Sequence, residues 1–553
     1  MRTPSRLVSA LVSLLATGAA GCRPAATPAP LHATTPAPGS APEASDEGPS
    51  GAPRGALAWA SFEPATFTRA QAEKRFVLID GAAEWCHWCH VMEATTYHDP
   101  EVRKVLDARF VAVKVDVDSR PDVEERYGDW GWPATVLMTA DGHEIGKYRG
   151  YLPPERLLEI LQAVVAPGGG AAMAGESGAA AEARTLSEGE IAAVAASTEK
   201  QLDGWWDPRE GSWGERQKLA LSWDNAWELL RARAGDAAAR QRALVALDRQ
   251  RAIIDPVWGG LCQYSTHGDW LHPHYEKLMT YQAGAIDNYA EAYALTHDAG
   301  WLATAQAVRG FVDRFMTGPE GGFYTTMDAD LNAHDPARPY LLGKDYYAKS
   351  DADRRALGIP RVDTHEYARD NGLAIAAYVT LFEASGDAGA LAIAERAAQH
   401  ILATHATEQG GVLHGPHGEG ESGKVLYLAD NAAFGLALTR LFEVTHKAEY
   451  LEAARRIAAR LTGELLDARG GGFYASTPDP DAIGVFATRR KPFEDDVMAI
   501  RFLARLQRLA PDDAYRNAVA RALPGVANRQ AVEERGRMLG DLLLALEETQ
   551  GVR

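Results

Sequence analysis

Five residues constrain this chain more than any others: Cys86-His87-Trp88-Cys89-His90. They follow Phe76-Val77-Leu78-Ile79-Asp80, a short apolar run that reads as a buried strand, and a turn through Gly81-Ala82-Ala83-Glu84-Trp85. The segment behind them, Val91 to Leu106, reads as a helix. A thiol at the head of a helix meets unpaired backbone N–H groups and the positive end of the helix dipole, and both favour its thiolate. That identifies Cys86 as the attacking sulfur and Cys89 as the resolving one.

A Cys-x-x-Cys between strand and helix is the thioredoxin arrangement. Asp80 stands where thioredoxins keep a buried acid that moves protons at the pair, and Lys114 is a candidate partner beneath it. Val111 to Val117 reads as the next strand. Gly131-Trp132-Pro133-Ala134-Thr135 leads into Val136-Leu137-Met138 and resembles the cis-proline loop of that fold. Trp132 and Pro133 would then shape the groove for an extended substrate, flanked by Trp85, His87, Trp88 and His90. No cofactor beyond a redox-active Cys86–Cys89 disulfide is expected, and no metal. Three readings compete. The motif fits c-type haem attachment, although haem needs neither Asp80 nor the proline loop. Zinc on Cys86, Cys89, His90 and His87 would need a distant partner, because ligands packed into five residues cannot all face one ion. The pair could also be an inert disulfide in a docking domain.

The start reads as an export signal. Arg2 and Arg6 precede the apolar stretch Leu7 to Ala20, too short for a membrane span. Ala19-Ala20-Gly21-Cys22 resembles a bacterial lipobox, which makes Cys22 the candidate lipidation site and the cell envelope the expected location, facing the periplasm or exterior. Residues 1–22 are thus assigned to the signal and 23–56, rich in Pro and Ala, to a disordered tether. The net charge of −18 argues against nucleic acid as a partner. Only 4 cysteines serve 553 residues, so stability must come from packing. Cys262 reads as a buried small hydrophobe without a partner.

The remainder falls into a thioredoxin-like domain over 57–166, a Gly/Ala-rich linker over 167–185 and a helical region over 186–553. In the last, amphipathic helical patterns alternate with glycine-aromatic punctuation: Gly211-Ser212-Trp213-Gly214, Trp258-Gly259-Gly260-Leu261, Gly321-Gly322-Phe323-Tyr324, Gly410-Gly411-Val412-Leu413 and Gly470-Gly471-Gly472-Phe473-Tyr474. Helix pairs joined this way predict an (α/α)6 toroid, with an open helical array as the alternative. The aromatic loops either line a central cleft or merely staple helix ends.

Together, Trp85-Cys86-His87-Trp88-Cys89-His90-Val91-Met92-Glu93, Lys114-Val115-Asp116, Arg120-Pro121-Asp122 and Gly131-Trp132-Pro133 resemble the two-domain family of spermatogenesis-associated thioredoxin-like proteins. Pro273-His274-Tyr275-Glu276-Lys277, Gly321-Gly322-Phe323-Tyr324 and Asp328-Ala329-Asp330 are similar to the six-hairpin glycosidase and sugar-epimerase toroids of that family's second half. Two stretches depart from the pattern, at Gly211 to Leu219 and at Pro492 to Asp496. The resemblance implies α/β plus all-α architecture and a toroid that binds a client or carbohydrate. Glycoside hydrolysis needs two carboxyl groups across a cleft. The candidates are Glu276 beside His274 and Lys277, Asp328, Asp330, Asp370 and Asp430, with Asp495 and Asp496. Asp370 and Asp430 also read as helix N-caps, and Glu276 with Lys277 as an ion pair. The leading reading is a tethered thiol–disulfide oxidoreductase that serves a client disulfide and a separate redox partner. The alternative is a carbohydrate-binding or carbohydrate-modifying toroid with a docking domain.

Overall fold

A computed structural model describes residues 57–128, 131–173, 184–335, 337–418 and 425–552. The signal, Cys22, the whole tether and the middle of the linker lie outside them. No helix among the described residues is long and apolar enough to cross a membrane.

The first domain is a four-stranded sheet flanked by helices. Its elements are α1 (Pro64–Glu73), β1 (Phe76–Ala82), α2 (His87–Thr95), α3 (Pro100–Arg109), β2 (Phe110–Asp116), α4 (Pro121–Tyr127), β3 (Ala134–Met138), β4 (Glu144–Arg149) and α5 (Pro154–Val165). The strand order is β2-β1-β3-β4, with β1 parallel to β2 and antiparallel to β3. β1 is central and buried on both faces, which explains its unbroken apolar run. The helix expected over Val91 to Leu106 is two helices. Pro100 has no N–H to continue the first, and Asp99 caps the second by accepting from the N–H groups of Glu101 and Val102 at 2.9 and 3.0 Å.

The second domain is a closed toroid. Six inner helices, Ser222–Arg233, Met279–Thr296, Ala368–Ser385, Leu428–Thr445, Phe493–Leu509 and Gly540–Glu548, pack in sequence, and the last returns to the first. Outer helices Glu188–Gly204, Ala237–Gln250, Ala299–Phe315, Ala388–Thr404, Ala448–Arg460 and Asp513–Val526 each pack on an inner one. The ring rules out the open array.

One device repeats around the ring. Where the glycine loop turns, a side chain at the fourth position of the following inner helix grips the backbone of the residue after the glycines. Gln282 accepts from Leu261 N and donates to Leu261 O, both at 2.8 Å. Asn371 does the same to Phe323 at 2.8 and 3.0 Å, and Asn431 to Val412 at 2.8 and 2.9 Å. Asp496 accepts from Phe473 N at 2.6 Å. A buried peptide group must find partners, and here an amide side chain supplies both. These loops therefore staple helix ends. The N-cap reading of Asp370 and Asp430 is corrected too: Tyr367 and Tyr427 hold those positions, and the two acids lie inside the first turn.

Candidate functional site

The cysteine pair is a disulfide, and both sulfurs are enclosed, with Cys86 4% and Cys89 6% exposed. Cys86 is the N-cap of α2, and its Sγ accepts the N–H of Cys89 at 3.2 Å. The Trp132–Pro133 peptide is cis, and the Trp132 indole packs against the apolar cluster that contains both cysteines. Asp80, on β1, is 3% exposed and accepts the Tyr97 hydroxyl at 3.1 Å. Burial pushes its carboxyl up to about 6, against the opposing pull of the Lys114 charge and the Tyr97 hydroxyl. The Lys114 ammonium is bonded to Glu93 and acts on Asp80 only through its charge.

The toroid packs on the same domain. Leu278, Ile483, Val485 and Phe486 pack on the same apolar cluster as the cysteines. The first turn of α2 meets a row of toroid acids. His87 Nδ1 lies 2.7 Å from Asp330 Oδ2, which also accepts the Tyr340 hydroxyl at 2.6 Å. The other oxygen of Asp330 accepts Gly343 N at 2.8 Å. Glu276 Oε1 accepts His87 N at 3.4 Å. His90 Nε2 lies 2.9 Å from Glu84 O and 3.9 Å from Asp328 Oδ2. Burial opposes a charged imidazole at His87, but the hydrogen bond and charge of Asp330, with Glu276 behind it, outweigh burial and hold His87 above its ordinary value. The exchange works on the acids as well. Burial would lift Asp330 and Glu276, yet the histidines beside them hold both below the usual carboxylate range.

A second set of contacts runs alongside. Trp85 Nε1 donates to Asp118 Oδ2 at 2.6 Å, and Asp118 O lies 2.8 Å from His414 Nε2. The far nitrogen of His414 sits 3.0 Å from Asp430 Oδ2. Asp430 Oδ1 also accepts Arg369 N at 2.9 Å, and the Arg369 guanidinium grips Glu124 at 2.9 and 2.8 Å and Asp370 at 3.2 Å. This seam is rich in buried acid. Burial, then the charges of Asp116 and Glu124, lift Asp118 well above its ordinary value.

The candidate residues are thus largely assembled at the contact between the two domains. Glu276, Asp330 and Asp328 meet the first turn of α2 directly, whereas Asp370 and Asp430 reach the thioredoxin-like domain through Arg369 and His414. His274 stacks on Tyr264 at 4.2 Å with Glu276 beside it. Lys277 is the exception: adjacent residues of an extended chain point to opposite sides, so its ammonium lies in the core. There it sits 4.0 Å over the Tyr347 ring and 3.6 Å from Cys262 Sγ, the partner that Cys262 was not expected to have. None of these residues lines the large cavity, about 710 Å³, that runs between the inner helices past Trp223 and Tyr281 to a charged rim including Arg233, Arg440, Arg505 and Glu548. Sequence reasoning missed Glu84, Asp118, His334, Tyr340, Arg369 and His414. The density of acid and histidine from Asp328 to His334 was the available signal for one of them.

Comparison with known proteins agrees with both halves. Residues 53–165 match the family model described as a protein of unknown function, DUF255. Over 322 residues, 51% of this chain, the sequence is 28% identical to spermatogenesis-associated protein 20 of Homo sapiens, and the match spans 40% of that protein's length. Over 88 residues, 15% of each chain, it is 34% identical to the thiol:disulfide interchange protein DsbD of Cronobacter sakazakii. The solved cellobiose 2-epimerase of Spirochaeta thermophila superposes with a TM-score of 0.50 at 15% identity, covering 66% of this chain and 98% of that one. That likeness establishes a toroid fold and nothing about activity. The two-domain resemblance stands: a thioredoxin-like domain of the DUF255 type followed by a six-hairpin toroid.

Proposed function

We propose that the protein is a thiol–disulfide oxidoreductase centred on Cys86 and Cys89, with the toroid governing access to the pair. The observation that carries this is the disulfide at the head of α2, with Cys86 Sγ facing a backbone N–H donor. After reduction, such donors favour the Cys86 thiolate. That thiolate attacks one sulfur of a client disulfide and expels the other as a thiolate. Cys89 then attacks Cys86 in the mixed disulfide, which re-forms the Cys86–Cys89 bond and frees the client dithiol. Two electrons pass from the pair to the client, and a partner of the dithiol class returns them. In reverse, the pair oxidises a client dithiol.

Asp80, lifted to about 6, relays a proton to or from Cys89 as the sulfurs change state. Trp132 and Pro133 shape the groove for an extended client, with Trp85, His87, Trp88 and His90 along its edge. The Leu7 to Ala20 stretch and Cys22 support export and lipid anchoring. The test is trapping with a model disulfide peptide. Cys89→Ser should accumulate a mixed disulfide through Cys86, and Cys86→Ser should accumulate none. Equal behaviour of the two variants would defeat the assignment.

The axial cavity favours a second reading, in which the toroid binds a small polar ligand such as a carbohydrate. Cellobiose binding measured by calorimetry, retained in Cys86→Ser, would support it; no heat at millimolar sugar would remove it for that ligand.

A further inference from the structure

One atom at the domain contact, Asp328 Oδ2, is explained by neither the exchange chemistry nor the hydrogen bonds around it. His90 comes from α2, immediately after the cysteine pair. Asp328 and His334 come from a toroid loop, and Glu84 contributes its backbone carbonyl from the turn before Cys86. His90 Nε2 and His334 Nε2 converge on Glu84 O at 2.9 and 2.8 Å. Asp328 Oδ2 lies 3.3 Å from His334 Nε2 and 3.9 Å from His90 Nε2. The imidazoles meet edge to face, 4.7 Å between centroids.

Two N–H groups pointing at Glu84 O would satisfy that carbonyl. They leave Asp328 Oδ2 without a hydrogen-bond partner among the described residues, although Asp328 is only 2% exposed. A buried carboxylate oxygen without a hydrogen bond is costly, so native structures rarely leave one. A cation accounts for all four atoms at once. A tetrahedral ion with bonds of about 2.0–2.1 Å requires ligand–ligand edges of about 3.3 Å, and the four measured separations, 2.8 to 3.9 Å, bracket that value. Two imidazole nitrogens and a carboxylate oxygen are ligands that zinc takes, and the Glu84 carbonyl stands beside them as a fourth oxygen. The surroundings also fit. A metal-bound imidazole turns its other nitrogen to a carboxylate, and among the described residues His90 Nδ1 has no hydrogen bond but faces Asp330 Oδ2 at 3.9 Å. The His334 side chain is 32% exposed, which leaves a route in from solvent.

We propose that His90, Asp328, His334 and the carbonyl of Glu84 form a divalent-metal site of the zinc class that ties the thioredoxin-like domain to the toroid. The cysteine sulfurs take no part, so the site is independent of thiol exchange and either can fail without the other. A zinc ion here would fix the first turn of α2, and with it the cysteine pair, against the toroid loop.

The test uses the full chain with its disulfide intact, freed of metal by chelator and titrated with Zn²⁺ by calorimetry, with bound metal counted by elemental analysis. One Zn²⁺ per chain is expected. His334→Ala, in an exposed loop, and Asp328→Asn, nearly isosteric, should each weaken binding by at least about tenfold with unchanged circular dichroism. The Cys86→Ser/Cys89→Ser double variant should bind as the parent does. Co²⁺ in place of Zn²⁺ should give visible bands without sulfur-to-metal charge transfer. No stoichiometric binding, binding untouched by both ligand variants, or binding lost with the cysteines would each overturn the proposal.

Discussion

Replacing Asp80 with Asn should make the protein more stable at neutral pH, and by an amount that depends on pH in a defined way. The carboxyl sits on the central strand, 3% exposed, and burial raises it from an ordinary 3.8 to about 6. A raised acid binds its proton more tightly when folded than when unfolded. Its favourable contribution is therefore complete below the unfolded value and is lost as pH climbs through the folded one. A difference of about 2.2 units at 1.36 kcal/mol per unit gives a penalty of about 3 kcal/mol once both states are ionised. The amide never carries that charge. The assay is urea unfolding of the full chain and of Asp80→Asn, at pH 4 and pH 8, followed through the transition of the thioredoxin-like domain. Any pH-independent cost of the substitution cancels between the two conditions. The stability difference should shift in favour of Asn by roughly 2–3 kcal/mol from pH 4 to pH 8. A difference that is flat with pH would refute the reasoning, because it would mean that Asp80 titrates alike in both states.

Other outcomes follow from the same geometry. Asp330→Ala removes the acceptor of both His87 and Tyr340, so the reduced Cys86 should be alkylated faster than in the parent; an unchanged rate would mean the toroid does not control access. Asp255→Ala strands the fully buried Arg354 guanidinium, now held at 2.6 and 3.0 Å, and should cost about 3–5 kcal/mol in chemical unfolding. Asn371→Ala orphans the peptide groups of Phe323 and should cost about 1–3 kcal/mol for each group, whereas Asn371→Gln should recover part of the loss. At Gly372 an added Cβ would stand 2.6 Å from the backbone of Ala433 and Phe434, so Gly372→Ala should lower the melting temperature by forcing two inner helices apart.

The first domain was largely legible because its signals are local. A buried central strand, a cysteine pair at a helix start and a Trp-Pro turn each announce themselves within a few residues. The break at Pro100 was also local and could have been read from Asp99-Pro100 as a cap followed by a residue that starts helices. The closing inner helix, Gly540–Glu548, was not legible by periodicity. Residues Leu542 to Leu546 are all buried, so the run has no polar face to set a 3.6-residue rhythm. The site divided along the same line. The acids at 276, 328, 330, 370 and 430 could be singled out one by one, but the partner of His87 lies 243 residues away. Nothing local reveals that these carboxylates lie at the contact with the thioredoxin-like domain. Asn371 and Asn431 looked incidental beside the acids that precede them, yet they are the side chains that hold the loops.

The central claim is that Cys86 and Cys89 cycle between dithiol and disulfide. It is tested most directly by equilibrating the protein, begun near residue 55, with graded glutathione redox buffers and counting free thiols by alkylation mass shift. The account predicts a reversible two-electron couple within the span of thioredoxin-fold oxidoreductases, roughly −270 to −120 mV, unaffected by Asp328→Asn beyond any change in metal content. A pair that stays oxidised throughout that range, or titrates irreversibly, would contradict it and leave the toroid cavity as the place to look for function.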